Sequence, residues 1–97
     1  MKLCRINEKG AKTMELKDTV NGMISEDYKE RFIAEYQQLV IRLNKLKDIV
    51  WKAREGKLDF DITEDRLDLL VDQLDVMKRY RIILRTRAKL EKIDLNL

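Results

Sequence analysis

From Phe32 onward the apolar residues fall at alternating gaps of four and three: Phe32, Tyr36, Leu39, Leu43, Leu46, Val50 and Ala53. That is an unbroken heptad seam, and it predicts one amphipathic helix over about residues 26–55. Ser25 is the expected N-cap, and Glu26 and Asp27 suit the positive end of the helix dipole. Gly56 supplies a left-handed residue just past the helix end. At about 100° per residue, Ile33, Val40 and Trp51 make a second apolar strip beside the seam.

A second helix is expected over about residues 64–90 or beyond, capped by Thr63, with Glu64 and Asp65 in its first turn. Ile62 and Leu67 stand at the positions of a hydrophobic staple. One apolar stripe runs Leu67, Leu70, Val71, Leu74, Met77, Leu84 and Ala88; a second, nearly opposite, runs Leu69, Val76, Tyr80, Ile83 and Leu90. One partner helix cannot bury both. Either the N-terminal segment covers the second stripe or another subunit does, and the second reading is preferred. The short linker 56–62 implies an antiparallel return. Each helix should be roughly 40–45 Å long, and a lone hairpin of that length closes no core. The expected fold class is therefore all-α: a two-helix hairpin that assembles into a helical bundle, most simply a four-helix dimer. Residues 25–97 form the hairpin domain and 1–24 an N-terminal extension. In that extension Lys12–Val20 reads as a short helix ending near Gly22, or Lys2–Ile6 and Thr13–Leu16 as extended strands.

Composition fits this picture. The 97 residues hold no proline and three glycines, as long helices require. Charged residues are 40% of the chain but hydrophobic ones are 44%, too apolar for disorder. Cys4 is the sole cysteine, which precludes an intramolecular disulfide. No run approaches the roughly 20 apolar residues of a membrane span, and Met1–Gly10 lacks a signal-peptide core. A cytoplasmic protein without membrane association is expected.

Without histidine, the usual general base and zinc sites cannot be built. Gly10, Gly22 and Gly56 are isolated, so there is no phosphate loop. The acidic run Asp59–Asp65 begins like an EF-hand loop. It then fails, with Glu64 where glycine is needed and Leu70 where a bidentate glutamate is needed. No enzyme activity, catalytic residue, metal or cofactor is expected.

The remaining candidate chemistry is cationic. Lys78, Arg79, Arg81, Arg85, Arg87, Lys89 and Lys92 crowd the end of the second helix, with Glu91 as the single acid among them. Structurally, bases suit a helix C-terminus, and across the hairpin they could pair with Glu30 and Glu35. Functionally, Arg79, Arg81 and Arg85 beside Tyr80 could hold an anion, since guanidinium forks bind phosphate and a ring can stack on a base. A net charge of +3 gives nucleic-acid binding little support. Trp51 either packs in a subunit contact or anchors a partner. The expected oligomer interface is Leu69, Val76, Tyr80, Ile83, Leu90 and Trp51.

Arg31–Leu39 followed by Arg42–Leu46, and Leu70–Tyr80 followed by Ile83, Leu84 and Arg87, resemble the two helices of a family of small helical-hairpin proteins of crAss-like and other tailed phages. The string Gln73-Leu74, Met77, Tyr80 is its more specific part. The chain departs from that family by its extra N-terminal segment, and Met23 stands where a shorter member would begin. The resemblance implies a phage origin and a hairpin, and carries no activity. By analogy of size and fold alone, some small phage hairpins counter host immunity by sequestering cyclic nucleotides. Three functions are thus expected in turn: a homo-oligomeric module sequestering a small anionic signal, an inhibitor of a host protein, or a nucleic-acid accessory.

Overall fold

The computed structural model describes residues 14–95. Leu16–Thr19 forms one turn of 3-10 helix, followed by α1 (Val20–Met23), α2 (Tyr28–Arg54) and α3 (Glu64–Glu91). The fold is an all-α helical hairpin: α2 and α3 pack together, and the N-terminal turns pack on α2.

Asp27, not Ser25, caps α2: its Oδ1 accepts the Lys29 N–H at 3.0 Å. The Ser25 hydroxyl instead accepts the Asp27 N–H at 3.0 Å and donates to Glu30 at 2.6 Å, making a local turn ahead of the helix. At the other end Gly56 takes φ 69°. The Gly56 and Lys57 amides close back on Ala53 and Lys52, satisfying the last carbonyls. Thr63 caps α3, its Oγ1 accepting the Arg66 N–H at 3.2 Å. The far end of α3 closes on Lys92 at φ 59°, with Ile93 N–H on Ala88 O at 2.8 Å. That left-handed residue turns the chain inward, so Ile93 and Leu95 are buried.

The heptad seam of α2 forms the core. Phe32, Tyr36 and Leu39 join Leu84, Ala88, Ile93 and Leu95 at the open end of the hairpin. Leu43, Leu46 and Val50 join Leu74 towards the linker, and Met77 touches both clusters. Leu43 and Leu84 are fully buried. On α3 the inward row, buried or half-buried, advances by threes and fours through Leu67, Leu70, Leu74 and Met77, then resumes at Leu84 and Ala88. The position that completes it is Arg81.

In the N-terminal segment the chain is helical from Leu16 and the helix ends at Met23, one residue past Gly22, near the end expected from sequence. Of the strands weighed, Lys2–Ile6 lies outside the described residues; Met14 and Glu15 are irregular and Leu16 is already helical. The described part of the segment, from Met14 on, does not cover the second stripe of α3. It contacts α2 and makes no contact with α3. The reason is a close fit: a Cβ on Gly22 would stand 2.8 Å from that of Ala34. Beside it, Gln38 donates to the buried Thr19 hydroxyl at 2.9 Å. Ala34 and Ile41, seven apart on that face of α2, are buried.

Candidate anion-binding site

The cations of α3 divide by helical position. Lys78, Arg81, Arg85 and Lys89 advance by three, four and four, and so share one strip. Arg85 Nε donates to the hydroxyl of the buried Tyr36 at 3.1 Å. One turn earlier, Arg81 stands half-buried in the inward row of α3, and its Nε is buried without a hydrogen-bond partner. Beyond Arg85 the strip meets an open groove of about 540 Å³, lined on α3 by Ile82, Arg85, Thr86 and Lys89. Its other wall is the inturned chain: Ile93, Asp94 and Leu95. The left-handed residue Lys92 therefore builds that wall. The volume is within the range of about 300–1,000 Å³ usual for small-molecule sites.

Arg79 and Tyr80 are not brought to this groove. Tyr80 lies on the opposite flank of α3, where its hydroxyl donates to Glu35. Arg79 is exposed and about 120° around the helix from Arg85. The expected pairing of arginines with Glu30 and Glu35 is corrected as well. Glu35 accepts from Tyr80 and Glu30 from Ser25, so neither carboxylate is taken by Arg81 or Arg85.

Arg87 is bound into the fold. Its guanidinium lies 4.9 Å from the Phe32 ring centroid. It donates to the Tyr28 hydroxyl at 3.0 Å and to Glu91 at 3.4 Å. Tyr28 in turn donates to Glu91 at 2.7 Å. This bond to a carboxylate holds the Tyr28 phenol above its ordinary range. For Arg87, desolvation works downward, but the Tyr28 hydroxyl and Glu91 charge outweigh it, and the net shift is upward.

Leu69, Val76, Ile83 and Leu90 are exposed on α3, and Tyr80 is half-exposed. Trp51 is 52% exposed, with the Lys57 ammonium 4.9 Å from its ring centroid. It lies about 160° around α2 from Glu35, the residue that Tyr80 reaches, so it is not gathered with the α3 stripe. Sequence reading missed the groove itself, because Ile93 and Leu95 follow the helix with no glycine to announce the turn. It could have found Arg81's place on the seam from the gap between Met77 and Leu84.

Among the described residues no helix is long and apolar enough to cross a membrane. No curated protein and no solved structure matches the chain. The Sequestin family model, however, matches residues 26–90, which takes in α2, the linker, α3 as far as Leu90 and the whole arginine strip; the chain belongs to the Sequestin family.

Proposed function

We propose that this protein is a non-enzymatic binding module that sequesters a small anionic ligand, with Arg81 and Arg85 facing its phosphate. The observation that carries the reading is the Arg81 guanidinium, whose Nε is buried and unpartnered one turn from Arg85. An unsatisfied buried donor costs about 1–3 kcal/mol, which an anion reaching it would recover. The groove beyond Arg85 offers apolar contacts from Ile82, Ile93 and Leu95 to the rest of the ligand. That combination of guanidinium forks and apolar wall suits a nucleotide. The family name, Sequestin, points the same way. In its fuller form the ligand is a signal such as a cyclic nucleotide. Its capture by a phage-encoded protein in the host cytoplasm then counters a defence.

Calorimetry with a panel of cyclic nucleotides tests this. Charge-assisted bonds of about 1.5–3 kcal/mol mean that Arg81→Ala or Arg85→Ala should each weaken binding roughly ten- to a hundredfold. The bound nucleotide should be recovered intact. Mass spectrometry of small molecules released from the heat-denatured protein identifies the physiological ligand. If the wild type binds no member of the panel and releases no anion, the reading fails. Docking on a host protein is the second reading, favoured by the exposed Trp51. Capture of a host factor that is lost on Trp51→Ala would support it instead.

A further inference from the structure

The outward face of α3 carries a second seam. Leu69, Val76, Ile83 and Leu90 recur every seven residues and are 67%, 65%, 51% and 79% exposed. Gln73, Tyr80 and Arg87 fall between them, so the row again advances by fours and threes. Tyr80 and Arg87 reach back to Glu35, Tyr28 and Phe32 of α2, but the four apolar residues stay exposed, and nothing covers them among the described residues. A heptad row accepts a helix.

We propose that the occupant is α3 of a second copy, lying antiparallel about a two-fold axis near Arg79 and Tyr80. Charge selects both the partner and the direction. The first half of α3 carries Glu64, Asp65, Asp68, Asp72 and Asp75 against Arg66; the second carries Lys78, Arg79, Arg81, Arg85, Arg87 and Lys89 against Glu91. An antiparallel pair lays acidic half on basic half twice, as a two-fold interface requires. A parallel pair sets like on like along its whole length. The apolar residues fix the register. The midpoint of Leu69 and Leu90 is also the midpoint of Val76 and Ile83, so one axis faces all four with apolar residues of the copy. Helical position then brings Asp72 near Arg87 of the second copy and Arg66 near its Glu91. Arg79 meets its own copy close to the axis, a like-charge contact at the surface that salt screens. The inference is independent of ligand sequestration, because Arg81 and Arg85 lie on the far side of α3 from this row.

Light scattering of the full chain should give twice 11.6 kDa, or an even multiple, at micromolar concentration. Val76→Asp and Ile83→Asp should raise the dissociation constant at least a hundredfold. Their helical circular dichroism should persist, since both sites are exposed. Orientation is read from disulfides in a Cys4→Ser background. Chains with Leu69→Cys mixed with chains with Leu90→Cys should cross-link; neither alone should, because like positions stand about 30 Å apart in this register. A disulfide needs Cα atoms within about 7 Å. A monomer mass would overturn the proposal. So would self-cross-linking of Leu69→Cys, or an oligomer indifferent to Val76→Asp.

Discussion

Lys92 holds a backbone conformation that any side chain with a Cβ adopts at a cost, and the fold depends on it. Its φ of 59° ends α3 and sends Ile93 and Leu95 back into the core. The left-handed region costs an ordinary residue about 1–2 kcal/mol, and glycine gives part of that back through its freer unfolded state. Lys92→Gly should therefore stabilise the protein by up to about 1 kcal/mol in urea unfolding. A loss of stability would show that the lysine side chain contributes more than its backbone strain takes away. The same residue explains why the groove was not legible in the sequence. Gly56 announces the end of α2 by its identity, whereas Lys92 has nothing in its chemistry to mark a left-handed turn. Tyr28 offers a second test at this scale. Its phenol is raised by the bond to Glu91, so that bond stabilises the fold fully below the ordinary tyrosine range. It is lost as pH rises through the higher folded value. The ultraviolet titration of the wild type should contain a late-titrating phenol that Tyr28→Phe lacks. The stability difference between the two proteins should vanish at strongly alkaline pH.

The helices themselves were readable because a seam imposes its own period. Six of the seven residues from Phe32 to Ala53 are buried, and Ala53 is half-buried. The inner stripe of α3 is likewise the one that faces α2. What could not be read was where the N-terminal turns go, because their attachment rests on a glycine and a threonine. Gly22 reads in sequence as a helix stop, and α1 does end one residue later, but sequence does not show that its missing Cβ is what lets α1 sit on Ala34, which a Cβ would approach to 2.8 Å. Two principles of opposite sign make this testable. In a helix with open space, Gly→Ala gains close to 1 kcal/mol from propensity. Against a packed neighbour, overfilling costs about 1–3 kcal/mol. Gly22→Ala is expected to destabilise and to accelerate amide exchange in residues 16–23 while leaving the centre of α2 protected. Adding Ala34→Gly should restore the exchange pattern. Stabilisation by Gly22→Ala alone would mean that α1 does not sit on α2 as described.

At the scale of the whole molecule, Arg81 ties stability to the proposed function. It occupies the one polar position in a row that is otherwise apolar from Leu67 to Ala88, between the two halves of the core. Its Nε is buried without a partner. A residue chosen only for packing would be leucine or methionine. Methionine has the length and flexibility to follow the arginine stem without the guanidinium. Removing a buried unsatisfied donor recovers about 1–3 kcal/mol. Arg81→Met should thus melt at a higher temperature than the wild type in the absence of ligand. Ligand should then reverse the comparison. A wild-type protein that binds gains RT ln(1 + [L]/Kd) on saturation, while Arg81→Met gains little at the same concentration. Melting curves of both proteins with and without a nucleotide shown by calorimetry to bind the wild type give all four values. If Arg81 is instead a packing residue whose stem covers the seam, the outcome inverts: Arg81→Met melts lower or unchanged and keeps the ligand-induced rise. The site would then have to be built on Arg85 and Lys89 alone.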